Sequence, residues 1–275
     1  MTSPIADPAA FHAFERAGWE SVPRPYHDAW GTLTTQAVAP LLNAVGAGPG
    51  VRVLDVATGP GYVAAAAVRR GASVVGIDFS EAMLAEARGH HPGIDFRSGD
   101  AEALPFPEAS FDAVVMSFGL LHLARPDQAL AEAHRVLRPG GRLAFTVWDR
   151  PEEAVAFGIV LGAVQRHGRM DVPLPPGPPF FRFSDPAESR RVLLGLGLRS
   201  LEVIVVPQVW RLGSVDALFE VMRGGTVRTA GLLRAQTPAA QTAIRADIRD
   251  AVRPYQRGDG VELPMPAVLS SAVNA

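Results

Sequence analysis

The stretch "VLDVATGPGYVAAAAVRRGASVVGIDFS", residues 53–80, constrains this chain more than any other. An apolar run reaches a turn holding Gly59 and Gly61, an alanine-rich run follows at helical spacing, and a second β-rich run closes on Asp78. Strand, turn, helix and strand in so short a segment make a βαβ unit, whose two strands must be parallel. Glycines this close to a helix start let backbone N–H groups approach a ligand, so the unit is expected to hold a cofactor. Gly59, Gly61 and Ala64 also satisfy the G-x-G-x-x-G/A spacing of a dinucleotide site, so the identity of that cofactor needs a further argument.

The same alternation continues along the chain. Residues 51–56, 73–78, 94–100, 111–118 and 142–148 read as strands. Helices are expected after Gly61, over 81–88 with Ser80 as N-cap, and over 127–137, the last stopped by "RPGGRL", where Pro139 cannot continue it and Gly140 and Gly141 permit a sharp return. The fold class is therefore α/β, a Rossmann-like doubly wound and mostly parallel sheet with a helical lid or insertion. Ahead of it, Trp30, Leu33, Ala37, Leu41 and Val45 fall near one helical face. Behind it, residues 172–179 read "VPLPPGPP", five prolines in eight residues, and form a stiff extended loop. A helix from Asp185 to about Leu196, a strand over 201–210, two helices between Val215 and Tyr255, and a last strand near 267–273 complete the expectation. Residues 1–50 are thus assigned to a helical lid segment, 51–150 to the cofactor-binding core, and 151–275 to a helical insertion plus the remaining strands of the same sheet.

Composition narrows the partners. A net charge of −2 over 275 residues leaves no broad basic surface for a phosphate backbone, so nucleic acid is not expected. With no cysteine there is no disulfide, thiolate nucleophile or sulfur-built zinc site, and the seven histidines show no metal-ligand spacing. The first twenty residues have no basic start followed by an apolar run, and no apolar stretch approaches the ~20 residues of a membrane span. A cytoplasmic protein without a metal is expected.

The residues around the turn separate the cofactors. A dinucleotide pyrophosphate is cradled by backbone N–H groups of the glycine turn, and Pro60, in its middle, has none to give. Asp55, at the strand end before the turn, would repel a diphosphate and welcome a cation. S-adenosylmethionine carries a sulfonium and an ammonium against one carboxylate, so it calls for acidic groups here. Asp55 suits the ammonium, directly or through the turn, Asp78 suits the ribose hydroxyls, and Asp100 in "GDAEALPF" suits the adenine amine. All three close successive strands, at the edge where open α/β sheets bind ligands.

With "DVATGPG", "GDAEALPFPEASFD" and "EAHRVLRPGGRL", residues 51–149 resemble the class I S-adenosylmethionine-dependent methyltransferases, and within them the ubiquinone/menaquinone-biosynthesis-like branch. That resemblance implies that Gly59 and Gly61 line the methionine portion, with Ala57 and Thr58 in the same turn. It assigns Asp78 and Phe79 to the ribose, Asp100 and Ala101 to the adenine, and Ser117 to the floor. Ala57 departs from the pattern, since many members have glycine there.

The acceptor side is less defined. His122, in "SFGLLHLARPD", follows the fourth strand and is a candidate base, as is His27; a turn histidine packed beside the cofactor is the other reading of His122. Tyr26 and Trp30 on the leading helix, and Phe180 and Phe181 beside the proline loop, are candidate acceptor contacts, with core packing as the alternative. His90 and His91 read as surface residues. Arg223 and Arg228 in "MRGGTVRT" read first as a solvated helix face and second as contacts to an anionic acceptor. The functional expectation is methylation of a small-molecule acceptor at carbon, oxygen or nitrogen. A nicotinamide-dependent oxidoreductase and a non-catalytic S-adenosylmethionine-binding protein are the alternatives.

Overall fold

The structure is a computed structural model and describes residues 7–275. Of the amino-terminal stretch read above for a secretory signal, residues 1–6 lie outside that range. A seven-stranded sheet forms the centre, built from β1 (Arg52–Val56), β2 (Ser73–Asp78), β3 (Asp95–Ser98), β4 (Phe111–Ser117), β5 (Leu137–Trp148), β6 (Arg199–Val206) and β10 (Ala267–Val273). Its order is β3-β2-β1-β4-β5-β10-β6. The first five strands are mutually parallel, and β10 runs antiparallel to both β5 and β6. The order reverses between β1 and β4, which opens a crevice beyond their carboxyl ends. Leu54, Val114 and Ala144 in the central strands are fully buried, as expected of a parallel sheet covered on both faces by helices.

Local chemistry sets the covering helices. α4 (Tyr62–Arg69) starts from Gly61 at φ 81, α5 (Glu81–His90) is capped by the Ser80 hydroxyl, which accepts the Met83 N–H at 3.2 Å, and α6 (Pro126–Val136) begins on a proline. The leading segment forms α2 (Pro23–Thr34) and α3 (Val38–Ala44), joined by a 3-10 turn. Ahead of it lies α1 (Pro8–Ser21), capped by Asp7, which the sequence reading did not identify. The carboxylate of Glu20, near the end of α1, accepts the N–H groups of Glu81 and Ala82 at 2.8 and 3.1 Å, so α1 docks on the first turn of α5.

Several expectations are corrected. "RPGG" does not separate helix from strand: α6 stops at Val136, β5 starts at Leu137, and residues 138–141 bulge out between the pairs Phe111–Leu137 and Ala113–Arg142. Asn274 pins this bulge, its carbonyl accepting the Gly140 N–H at 2.9 Å while its side-chain amide donates to the carbonyls of Leu137 and Arg138. The single strand expected over 201–210 is broken around Pro207, which has no N–H for a ladder. Its second half, β7 (Val209–Leu212), joins β8 (Gln256–Arg257) and β9 (Gly260–Pro264) in a small separate sheet. Three helices, not two, lie between Val215 and Tyr255: α9 (Ala217–Gly224), α10 (Arg228–Arg234) and α11 (Pro238–Val252), with Tyr255 in a 3-10 turn after the last. The remaining helices are α7 (Val155–His167) and α8 (Pro186–Gly195), and residues 171–179 between them form neither helix nor strand.

Candidate active site

One cleft, about 1220 Å³ counting the part open to solvent, lies over the crevice. Its first half is made by strand ends. Asp55 is almost fully buried and its Oδ2 accepts the Thr58 hydroxyl at 2.6 Å and the Ala64 N–H at 3.0 Å, tying the turn to the first turn of α4. Burial pushes this carboxyl up to about 7, against the pull of those two bonds, and Oδ1 has no partner among the described residues. Asp78 accepts the Gly59 N–H at 2.8 Å on Oδ2 and the Ser80 N–H at 3.0 Å on Oδ1, and burial raises it to about 6 while these backbone donors oppose the shift. Asp100 accepts the Glu102 N–H at 2.8 Å and keeps a half-open carboxylate, 3.9 Å from the His12 ring. Phe79, Ala101, Ser117, Ala57 and Thr58 line the same half.

The two glycines of the turn do different work. A Cβ on Gly59 would meet nothing within 4 Å, so its surface faces open space, with φ at 52. A Cβ on Gly61 would lie 2.7 Å from the Phe96 ring and 3.1 Å from His91. Gly61 is not among the residues lining the cleft; it supplies a left-handed conformation, and its missing side chain allows close packing against Phe96 and His91. Ala57 also has a positive φ, 54, which costs an L-residue roughly 1–2 kcal/mol and explains why glycine suits the position. His91 is half-buried against Gly61 rather than a surface residue.

The second half of the cleft is made by side chains from distant segments. His122, Tyr26, Trp30 and Phe180 line it. His122 Nδ1 lies 3.0 Å from Oε2 of Glu15, a fully buried residue of α1 whose same oxygen accepts the Trp19 indole N–H at 3.2 Å. A carboxylate at this place accepts the Nδ1 proton, and in the neutral ring that arrangement turns Nε2 into the hydrogen-bond acceptor. The Trp19 ring packs edge-on against His122 at 4.8 Å and the Phe180 ring at 5.7 Å. His27 does not reach the cleft: its Nδ1 is 2.6 Å from the Tyr62 hydroxyl and its ring stacks on His90 at 4.5 Å, which removes it as a base. Phe181 is displaced into an adjoining apolar pocket shared with Phe180 and Phe157. Trp30 is nearly fully buried against Trp210 at 4.2 Å, so core packing accounts for most of its surface. Sequence reasoning missed Glu15 and Trp19; Phe11, Glu15 and Trp19 recur at four-residue spacing, a helical face that was there to be read.

The family described as "Methyltransferase domain" matches residues 54–145, the strands and turn that carry the three aspartates. Residues 54–145 match the methyltransferase domain family. The chain is 49% identical over 111 residues to the demethylmenaquinone methyltransferase of Renibacterium salmoninarum, a match covering 40% of this chain and 47% of that one. It is 39% identical over 156 residues to the ubiquinone/menaquinone biosynthesis C-methyltransferase UbiE of Methylobacterium nodulans, covering 50% of this chain and 60% of the relative. The chain thus spans about half the length of the curated relatives it matches. Around the methyltransferase domain the fold is shared more widely. The structure of the phosphoethanolamine N-methyltransferase 2 of Haemonchus contortus, with phosphomonomethylethanolamine and S-adenosylhomocysteine, aligns over 98% of this chain and 61% of its own at a TM-score of 0.57 and 19% identity.

The strand-end groups fit S-adenosylmethionine on their own chemistry. Asp55 leaves a buried oxygen without a partner among the described residues, Asp78 and Asp100 face the cleft, and Gly59 leaves its wall open. Such an acidic donor set favours a cationic ligand and a ribose diol over a diphosphate.

Proposed function

We propose that the chain is an S-adenosylmethionine-dependent methyltransferase acting on a small, largely apolar molecule. The observation that carries the proposal is the coincidence, in one cleft, of the aspartate-lined strand ends of the methyltransferase domain with a histidine held by a buried carboxylate. Asp78 would hold the ribose, Asp100 the adenine, and Asp55 would act through the turn it ties to α4. When bound, S-adenosylmethionine supplies an activated methyl group on a sulfonium, so the chain needs only to align an acceptor, exclude water and manage one proton. The aromatic walls from α1, α2 and Phe180 exclude water. His122 Nε2 would accept the acceptor's proton, with Glu15 fixing the ring and balancing the imidazolium that results. Burial keeps the Tyr26 phenol protonated, pushed up to about 12, so it serves as a donor or wall and not as a base.

Apart from His122, the acceptor half draws on α1, α2, Phe180 and Arg228, which lie outside residues 54–145, so this chain's own flanks would choose the acceptor. An oxidoreductase reading is opposed by Asp55 and Pro60 at the turn, and a purely cofactor-sensing protein would have no use for the Glu15–His122 pair. The test is calorimetric titration of the purified protein with S-adenosylhomocysteine and NADH, followed by incubation with methyl-labelled cofactor and a metabolite extract. Micromolar binding of S-adenosylhomocysteine and label in a small molecule are expected; NADH binding without S-adenosylhomocysteine binding would overturn the proposal.

A further inference from the structure

Arg228 opens α10 and, unlike Arg223, which is exposed, it turns inward to the junction of the main cleft and the adjoining apolar pocket. Its guanidinium lies 5.2 Å from the Phe11 ring centroid and 5.5 Å from that of Phe180. Among the described residues its one hydrogen bond runs from Nη1 to the carbonyl of Pro178, at 3.0 Å. No carboxylate of the described residues comes within the 4.0 Å of an ion pair, and residues 1–6 contain no acidic side chain. Glu15 acts on it only through space, and its Oε2 is already engaged by Trp19 and His122. Burial accordingly pulls the guanidinium below the usual arginine value, with Glu15 opposing. Charges drawn out of water are ordinarily paired, and this half-buried one lies between aromatic rings with no partner among the described residues for its remaining donors.

We propose that Arg228 is the anchor for a carboxylate carried by an apolar acceptor, whose body extends between the main cleft and the pocket lined by Phe14, Leu161, Val172 and Phe181. One guanidinium, isolated among apolar walls, matches a monoanion with two coplanar oxygens. A phosphate dianion would call for a second cation, and among the described residues no other arginine or lysine lines either pocket. The inference rests on the methyltransferase reading only in calling this half of the cleft the acceptor's.

The experiment titrates the protein, saturated with S-adenosylhomocysteine, with three matched acid and amide pairs: benzoate and benzamide, 2-naphthoate and 2-naphthamide, decanoate and decanamide. At least one acid is expected to bind about ten- to a hundredfold more tightly than its amide, the range of a charge-assisted hydrogen bond. Arg228→Met should abolish the preference and leave S-adenosylhomocysteine affinity within about twofold; Arg228→Lys should retain part of it. Equal binding of acid and amide in every pair, no binding of any acid, or a preference that survives in Arg228→Met would overturn the proposal and leave Arg228 as a peg between Phe11 and Phe180. Should Arg228→Met fail to fold, the wild-type pairs alone decide. Failure to bind S-adenosylhomocysteine would instead strike at the proposed function, and the acid preference is then read without it.

Discussion

On the side of the cleft proposed for the cofactor, Asp55, Asp78 and Asp100 lie at the ends of three consecutive strands and are oriented by backbone N–H groups a few residues away or one strand over. On the acceptor side, Glu15 meets His122, Arg228 meets Phe11 and Pro178, and Trp30 meets Trp210, all across long separations in sequence. The first side is secondary structure that has been given a charge. The second exists only when α1, the proline-rich loop and α10 have all arrived. A site of the first kind tolerates change in its flanks, while a site of the second kind can exchange one ligand for another by altering a few side chains.

The contrast can be broken at four places. His122→Ala should lower methyl transfer to any acceptor found by about 10²–10⁴-fold, the usual contribution of a general base, with S-adenosylhomocysteine affinity unchanged in calorimetry. Asp78→Ala should weaken S-adenosylhomocysteine about ten- to over a hundredfold, and here the two sides differ. Because Asp78 also accepts the N–H groups of Gly59 and Ser80, this substitution should lower the melting temperature as well, whereas Asp78→Asn, which keeps an acceptor oxygen, should cost less in both measurements. Replacing residues 172–179 with a flexible linker should raise the acceptor's Michaelis constant severalfold while cofactor affinity stays within a few-fold; a parallel loss of both would show that the sides are not separable.

The smallest effect concerns pH. Asp55 is raised from 3.8 to about 7 in the folded protein, so its contribution to stability is fully present below the unfolded value and is lost as pH rises through the folded one. Without ligand, wild type should therefore lose melting temperature relative to Asp55→Asn by a few degrees between about pH 4 and 7. Affinity for the cationic cofactor should rise over the same interval as Asp78 and Asp55 ionise, and a flat profile would show that the carboxylates are not felt by the ligand.

The cofactor side was legible in sequence because its chemistry is local: a strand's period, a glycine, an aspartate at the strand's end. At Gly61 the spacing shows that a glycine is needed and not that its missing side chain would point at Phe96 and His91. On the acceptor side His122 was legible and its partner was not, because a glutamate on an amphipathic helix ordinarily faces water, and only tertiary packing turns Glu15 inward. His27 failed for the matching reason: being on the right helix does not fix the face, and the Tyr62 hydroxyl holds it outside. Pro207 broke a strand whose apolar pattern ran straight through it, and the inward turn of Arg228 was not legible because charge at a helix start is normally solvated.

The place of β10 bears on how the chain is made. Residues 52–148 can emerge from the ribosome and pair in order, but the outer edge of β5 then stays bare until residues 267–273 slot in antiparallel between it and β6. During that wait a long apolar strand offers an unpaired ladder to any neighbouring chain, and the bulge at Gly140 has not yet met Asn274. A neighbouring chain met in this interval competes with β10 for that edge, so the yield of folded chains depends on how soon residues 267–273 arrive.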